Sequence, residues 1–146
     1  MERIKSESEF GMIDWWKKVF LENYANFEGR ARRSEYWYYT LCSFLIVIGL
    51  YVLTFVLALL AGPVGILTTV LIVLFAIATI IPNIAVAVRR LHDTNKSGWW
   101  LLISFIPLGG LVLLVFYFTE GTTGDNDYGP DPKQVSDKDI NQIGTP

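Results

Sequence analysis

The chain has 146 residues, 52% of them hydrophobic and 18% charged, where an ordinary soluble domain carries about 25% charged residues. That length leaves room for one domain, and a net charge of −2 excludes an overall basic surface for nucleic acid. The single cysteine, Cys42, excludes a disulfide within the chain and leaves a cysteine-based metal site without its ligands.

Residues 1–35 hold seven Lys/Arg and seven Asp/Glu. They lack the short apolar core of a signal peptide, so no cleavage is expected and the first apolar segment should remain as an anchor. Within them Ile13, Trp16, Phe20, Tyr24 and Phe27 recur at helical spacing, with Asp14, Lys17, Lys18 and Glu22 largely off that stripe. The pattern fits an amphipathic helix lying at the membrane surface, or a helix capping the cytoplasmic ends of a bundle. Ser34 with Glu35 is placed to cap the start of the next helix.

Residues 36–88 contain no Asp, Glu, Lys, Arg or His. As one helix these 53 residues would run roughly 80 Å, against a hydrocarbon core of about 30 Å. Two crossings and a turn are therefore expected, the turn at Ala61-Gly62-Pro63-Val64-Gly65 and the helices over about 36–60 and 65–88. Between Leu41 and Leu60 there are fourteen Leu, Ile, Val or Phe residues, an insertion gain of order 4–8 kcal/mol at most. Burying Arg89 or Arg90 would cost about 2.5–3.5 kcal/mol each, so the second helix should stop before them. Tyr36, Trp37, Tyr38 and Tyr39, and later Trp99 and Trp100, read as interfacial belts. Pro82 frees the carbonyl of Ala78, for which Thr79 or Asn83 offers a compensating hydrogen bond, and Asn83 is a candidate contact to a neighbouring helix.

The third apolar run, residues 99–118, is broken by Pro107, Gly109 and Gly110. A kinked crossing is the first expectation and a re-entrant hairpin of two half-helices the alternative. The Lys/Arg distribution places the N-terminus and the loop after Arg89 in the cytoplasm. Three crossings would put the acidic tail outside, and a hairpin would return it. Residues 119–146 read as an acidic, largely disordered tail.

Arg89, Arg90, His92 and Asp93 form the densest polar cluster. Arg89 and Asp93 stand at i,i+4 and can pair, with His92 on the side of Arg89. Arginine forks bind phosphate and histidine changes charge near neutral pH. With Arg30, Arg32 and Arg33 on the same side, a phospholipid headgroup or an anionic part of a partner protein is a sensible occupant. The plainer reading is a set of topology anchors. Catalysis is not expected: His92 and Asp93 point about 100° apart on a helix of 3.6 residues per turn, and no nucleophile pairs with a base. One histidine is too few for zinc. DNDYGPD fails as a calcium loop, with Gly129 at its fifth position and Ser136 at its twelfth. No cofactor or metal is expected, and the absence of deeper charges argues against a proton relay.

Four stretches then carry a resemblance: YANFEGRARRSEYW (residues 24–37), RRLHDTNKSGWW (89–100), IPLG (106–109) and GTTGDNDYGPDP (121–132). In that order they resemble the motifs of the YhaH-like proteins, small bacterial inner-membrane proteins grouped as domain of unknown function 805. The resemblance implies a bacterial inner-membrane protein of several helices and supplies no activity.

The reading is an all-α polytopic integral membrane protein: an amphipathic N-terminal helix in residues 1–35, a membrane domain of three hydrophobic helices in 36–118, and the tail. The expected function is non-enzymatic, with an Arg-rich cytoplasmic face for anionic lipid or a partner, whether a membrane protein or a second copy. The rivals are an oligomeric transport or channel subunit and a membrane-embedded enzyme acting on lipid.

Overall fold

A computed structural model describes residues 7–61 and 65–134; the turn expected around Pro63 lies outside them. After a 3-10 turn at Glu7–Glu9 comes α1, Met12–Lys17, which runs into a π turn at Lys18–Glu22. Two long helices follow, α2 over Arg33–Ala61 and α3 over Gly65–Asp93. A 3-10 segment, Gly98–Phe105, and α4, Gly109–Phe118, complete the helical elements.

Each of α2 and α3 has 29 residues, about 43 Å at 1.5 Å per residue, the thickness of a bilayer with its headgroups. None of the apolar window of α2 is buried, and 28% of that of α3 is. A soluble fold would bury such a helix; one whose long apolar stretch stays largely unburied belongs in lipid. Both helices are longer than expected. α2 begins at Arg33, so Ser34 sits inside its first turn, and α3 runs through Arg89 and Arg90 to Asp93 because those arginines find partners outside the apolar layer.

The buried core lies at one end of this pair. On one side Val19, Ala31, Tyr39 and Val86 pack with Trp16 and Phe20, and Trp16 Nε1 donates to Ser43 Oγ at 3.1 Å. α1 thus docks on α2, while Ile13 and Leu21 remain outward. The expected stripe is rotated: Trp15 and Val19 are buried and Ile13 is exposed, because docking on α2 selects the Trp15–Val19 edge and the π turn shifts the register after Lys17.

On the other side Ala87 and Leu91 of α3 pack with Leu113 and Tyr117 of α4. The third apolar run does not continue through as a kinked helix. Its first residues lie against Val88 at Gly98, and its last lie beside Arg90, whose Nε donates to the Tyr117 carbonyl at 3.2 Å. The run goes in and comes back, a hairpin of two short arms held by the Trp100–Phe116 ring contact at 5.4 Å. Pro107 offers no N–H, Leu108 takes a left-handed turn at φ 66°, and Gly109 presses on the Ile103 carbonyl where a β-carbon would sit 1.8 Å away. The eight-residue 3-10 arm and the ten-residue α arm are each about 15 Å long, half a hydrocarbon core.

Pro82 is buried inside α3, and the carbonyl it frees, Ala78, accepts from Tyr24 Oη at 2.7 Å. The expected donors do other things: Thr79 bonds within its own helix to Phe75 and Ala76, and Asn83 faces outward.

Candidate functional site

Three of the four family-like stretches meet at the end of the bundle where the core lies. Asp93, at the C-terminus of α3, is the hub. One carboxylate oxygen accepts from Arg30 Nε at 3.0 Å and the other from Arg90 Nη1. Arg30 also donates to the carbonyls of Gly124, at 2.6 Å, and Thr122. Arg90 spreads its remaining donors over the carbonyls of Tyr117, Thr119 and Ala31. Gly121 passes so close to Asp93 that a β-carbon there would stand 2.1 Å from its carboxylate, so the strap 119–134 can lie down only on glycine.

Arg89 points the other way. Its Nη1 donates to Glu35 Oε1 at 2.5 Å, and Lys18 Nζ meets Glu35 Oε2 at 3.1 Å. The expected Arg89–Asp93 pair is replaced: Asp93 turns to Arg90 one residue on, at i,i+3, because α1 presents Lys18 and α2 presents Glu35 on the Arg89 side. Backbone joins the two sides where Ala31 N donates to the Arg89 carbonyl at 2.9 Å. Buried charges survive only when paired, and these are: Arg90 is 0% exposed, Arg89 3%, Glu35 1% and Asp93 5%, although Nε and Nη2 of Arg89 are buried without a hydrogen-bond partner among the described residues.

His92 is held between loops. Its Nδ1 lies 3.1 Å from the Gly29 carbonyl, an acceptor only, so that nitrogen carries the proton. Its ring stacks on Tyr128 at 3.9 Å, and Asn126 Nδ2 donates to its carbonyl at 2.9 Å. Asp131 is pushed up by burial, but the backbone N–H groups of Lys133 and Gly124 and the charge of Arg30 outweigh this and hold it below the usual range. Glu120 is lowered by its hydrogen bond from Lys133, against a small desolvation, with Arg33 adding attraction. The acidic stretch after Thr119, expected as a largely unfolded tail, is thus folded through 134, because its carbonyls are the acceptors that the arginines require.

Arg32 and Arg33 do not bond Asp93, but with Arg30, Asp93 and Glu120 they line a cleft of about 230 Å³. Arg32 reaches Glu7 and the Pro132 carbonyl, and Arg33 pairs with Glu120 at the surface. With Ser34 and Lys133 they line a notch of about 410 Å³. Of the seven predicted anion-binding residues, Arg33 alone has an exposed side chain; Arg32 is 13% exposed and, like the other five, bonded within the fold. Glu35, Lys18 and Tyr128 were missed as partners. Glu35 shows only as a helix-start residue in the sequence, and nothing local marks it as the counterion of Arg89.

A charge-paired knot at one end of two exposed apolar helices defines a helical membrane protein, with its polar interactions gathered at one boundary. Residues 24–130 match the family described as "Protein of unknown function (DUF805)", and the chain belongs to that family. It is 46% identical to the inner membrane protein YhaI of Escherichia coli (strain K12) over 122 residues, 83% of this chain and 97% of that protein. It is 45% identical to the inner membrane protein YhaH of the same organism over 130 residues, 83% of this chain and 98% of that one. No solved structure matches. The chain is thus a multi-pass α-helical protein of the bacterial inner membrane.

Proposed function

We propose that the protein is a non-enzymatic inner-membrane protein whose cytoplasmic end binds a phosphate headgroup of anionic lipid in the notch of Arg32, Arg33, Ser34 and Lys133. One observation carries this reading: buried Arg30, Arg89 and Arg90 are each paired with a carboxylate inside the fold, whereas Arg33 and Lys133 keep side chains 47% and 59% exposed beside the first turn of α2. A helix start and two or three cations on one rim favour a phosphate. Glu120, paired with both Arg33 and Lys133, occupies the place of that anion when no lipid is bound.

The cytoplasmic placement rests on seven Lys/Arg in the N-terminal segment and three between Arg89 and Lys96, those among the described residues lying at the arginine end. In this placement α2 and α3 cross and the hairpin is re-entrant from the cytoplasmic side. The non-enzymatic reading rests on the commitments of His92 and Asp93: one ring nitrogen and one face of the histidine, and both carboxylate oxygens, are engaged within the fold. Asn83, outward rather than lining a path between helices, gives transport no comparable support.

The test is titration of delipidated protein in detergent with short-chain phosphatidylglycerol against phosphatidylcholine. Replacing both Arg33 and Lys133 by Ala should weaken the anionic lipid by about 2 kcal/mol, roughly thirtyfold. Glu120→Gln should tighten it. Equal binding of the two lipids, or no change in either variant, sinks the reading.

A further inference from the structure

The thickness of the molecule differs between the two leaflets. At the arginine end α1 lies on one side of the α2–α3 pair and the hairpin on the other. Trp16 bonds Ser43, ten residues beyond Arg33, and Tyr24 bonds Ala78, eleven residues before Arg89, so the N-terminal segment sits about 15 Å along both helices. The hairpin's arms are each about 15 Å long. At the far end α2 and α3 stand alone among the described residues.

The added elements are built to sit among acyl chains. On α1 Ile13 faces outward beside exposed Lys17, on the π turn Leu21 does so beside exposed Glu22, and at the hairpin tip Phe105 and Leu108 are 85% and 78% exposed. With helices about 10 Å wide, the two-helix stem occupies on the order of 160 Å² of a leaflet. Counted as two arms along the bundle axis and α1 with its π turn lying in the leaflet plane, the added elements cover roughly twice that area on the arginine side.

We propose that the protein is a hydrophobic wedge that senses membrane curvature, favouring bilayers bent so that the leaflet on its arginine side is convex. This rests on the proposed placement of α1 and the hairpin in a single leaflet. A threefold difference in area between leaflets strains a flat bilayer and is relieved where the crowded leaflet is the outer side of a bend. Apolar insertions at the headgroup boundary are curvature-sensitive for the same reason.

The experiment uses the full chain with Cys42→Ser and Gln134→Cys, labelled at residue 134 and reconstituted into giant vesicles from which thin tubes are pulled. A membrane-impermeant quencher sorts molecules by orientation. Those with the arginine end outward should be enriched in the tube by about twofold or more, a preference of only RT ln 2, and those facing inward depleted. Ile13→Lys with Leu21→Lys, at exposed positions that no core packing requires, should reduce the enrichment. Equal density in tube and vesicle for both orientations, or enrichment regardless of orientation, overturns the wedge alone. Labels at residues 26 and 134 quenched from opposite faces overturn the leaflet placement, and the wedge with it.

Discussion

Two side chains, buried Asp93 and half-buried Tyr24, each answer a need created elsewhere in the chain. Asp93 neutralises Arg30 and Arg90 at once, and neither arginine has another carboxylate within bonding distance among the described residues. Asp93→Asn should therefore cost about 3–5 kcal/mol, since it leaves two buried guanidiniums without an anion. Denaturant unfolding in detergent measures it. The Tyr24 hydroxyl answers a need created by Pro82, the unfilled Ala78 carbonyl. Tyr24→Phe should cost about 1–3 kcal/mol, and markedly less in a Pro82→Ala background, where a restored N–H takes that carbonyl. A double-mutant cycle with equal costs in both backgrounds would refute the pairing. The proline was legible as a donor lost. Its partner was not, because nothing local links residues 54 apart.

The hairpin and the strap are the elements whose behaviour follows most directly from their geometry. Gly109 and Gly110 are neighbours in opposite situations: a β-carbon on Gly109 would strike the Ile103 backbone, and one on Gly110 meets open space. Gly109→Ala should destabilise by about 1–3 kcal/mol, whereas Gly110→Ala should be neutral or stabilising by up to about 1 kcal/mol. Thermal unfolding of the pair checks this. In the strap, Asp131 and Glu120 both titrate below their ordinary values. What they contribute is fully present above the ordinary carboxylate range and is lost as pH falls through that range and below it. Protection of the amides in residues 121–132, after correction for the intrinsic slowing of exchange at lower pH, should fall on acidification to that range, and Asp131→Asn should lower protection already at neutral pH and flatten the dependence. The hairpin was half legible: Pro107, Gly109 and Gly110 announce a break, but a kinked crossing and a fold-back use the same breakers. Tertiary contacts, Tyr117 to Arg90 and Gly98 to Val88, choose between them.

For the whole molecule, both described ends of the chain lie at the arginine end, since Arg32 reaches the Pro132 carbonyl. Cysteines placed at residues 26 and 134 in a Cys42→Ser background should react with an impermeant maleimide from the same side of the membrane. Reaction from opposite sides would restore the kinked crossing. The two long helices were plain in the sequence because hydropathy adds up locally and 53 residues without charge exceed any single span. The knot was plain only as a concentration of charge. Which arginine meets which carboxylate depended on where α1 and the strap came to rest, and periodicity does not encode that.

The strap has one more consequence, for biosynthesis. The carbonyls of residues 117–124 solvate Arg30 and Arg90, yet those arginines are translated far earlier. While the ribosome is still extending the chain, Asp93 can already neutralise both guanidiniums, but the carbonyls that complete their hydrogen bonding have yet to be made. Maturation is consequently completed only after the last quarter of the polypeptide has emerged, and a chain stopped after Phe118 would insert in the bilayer yet remain open to proteolytic clearance.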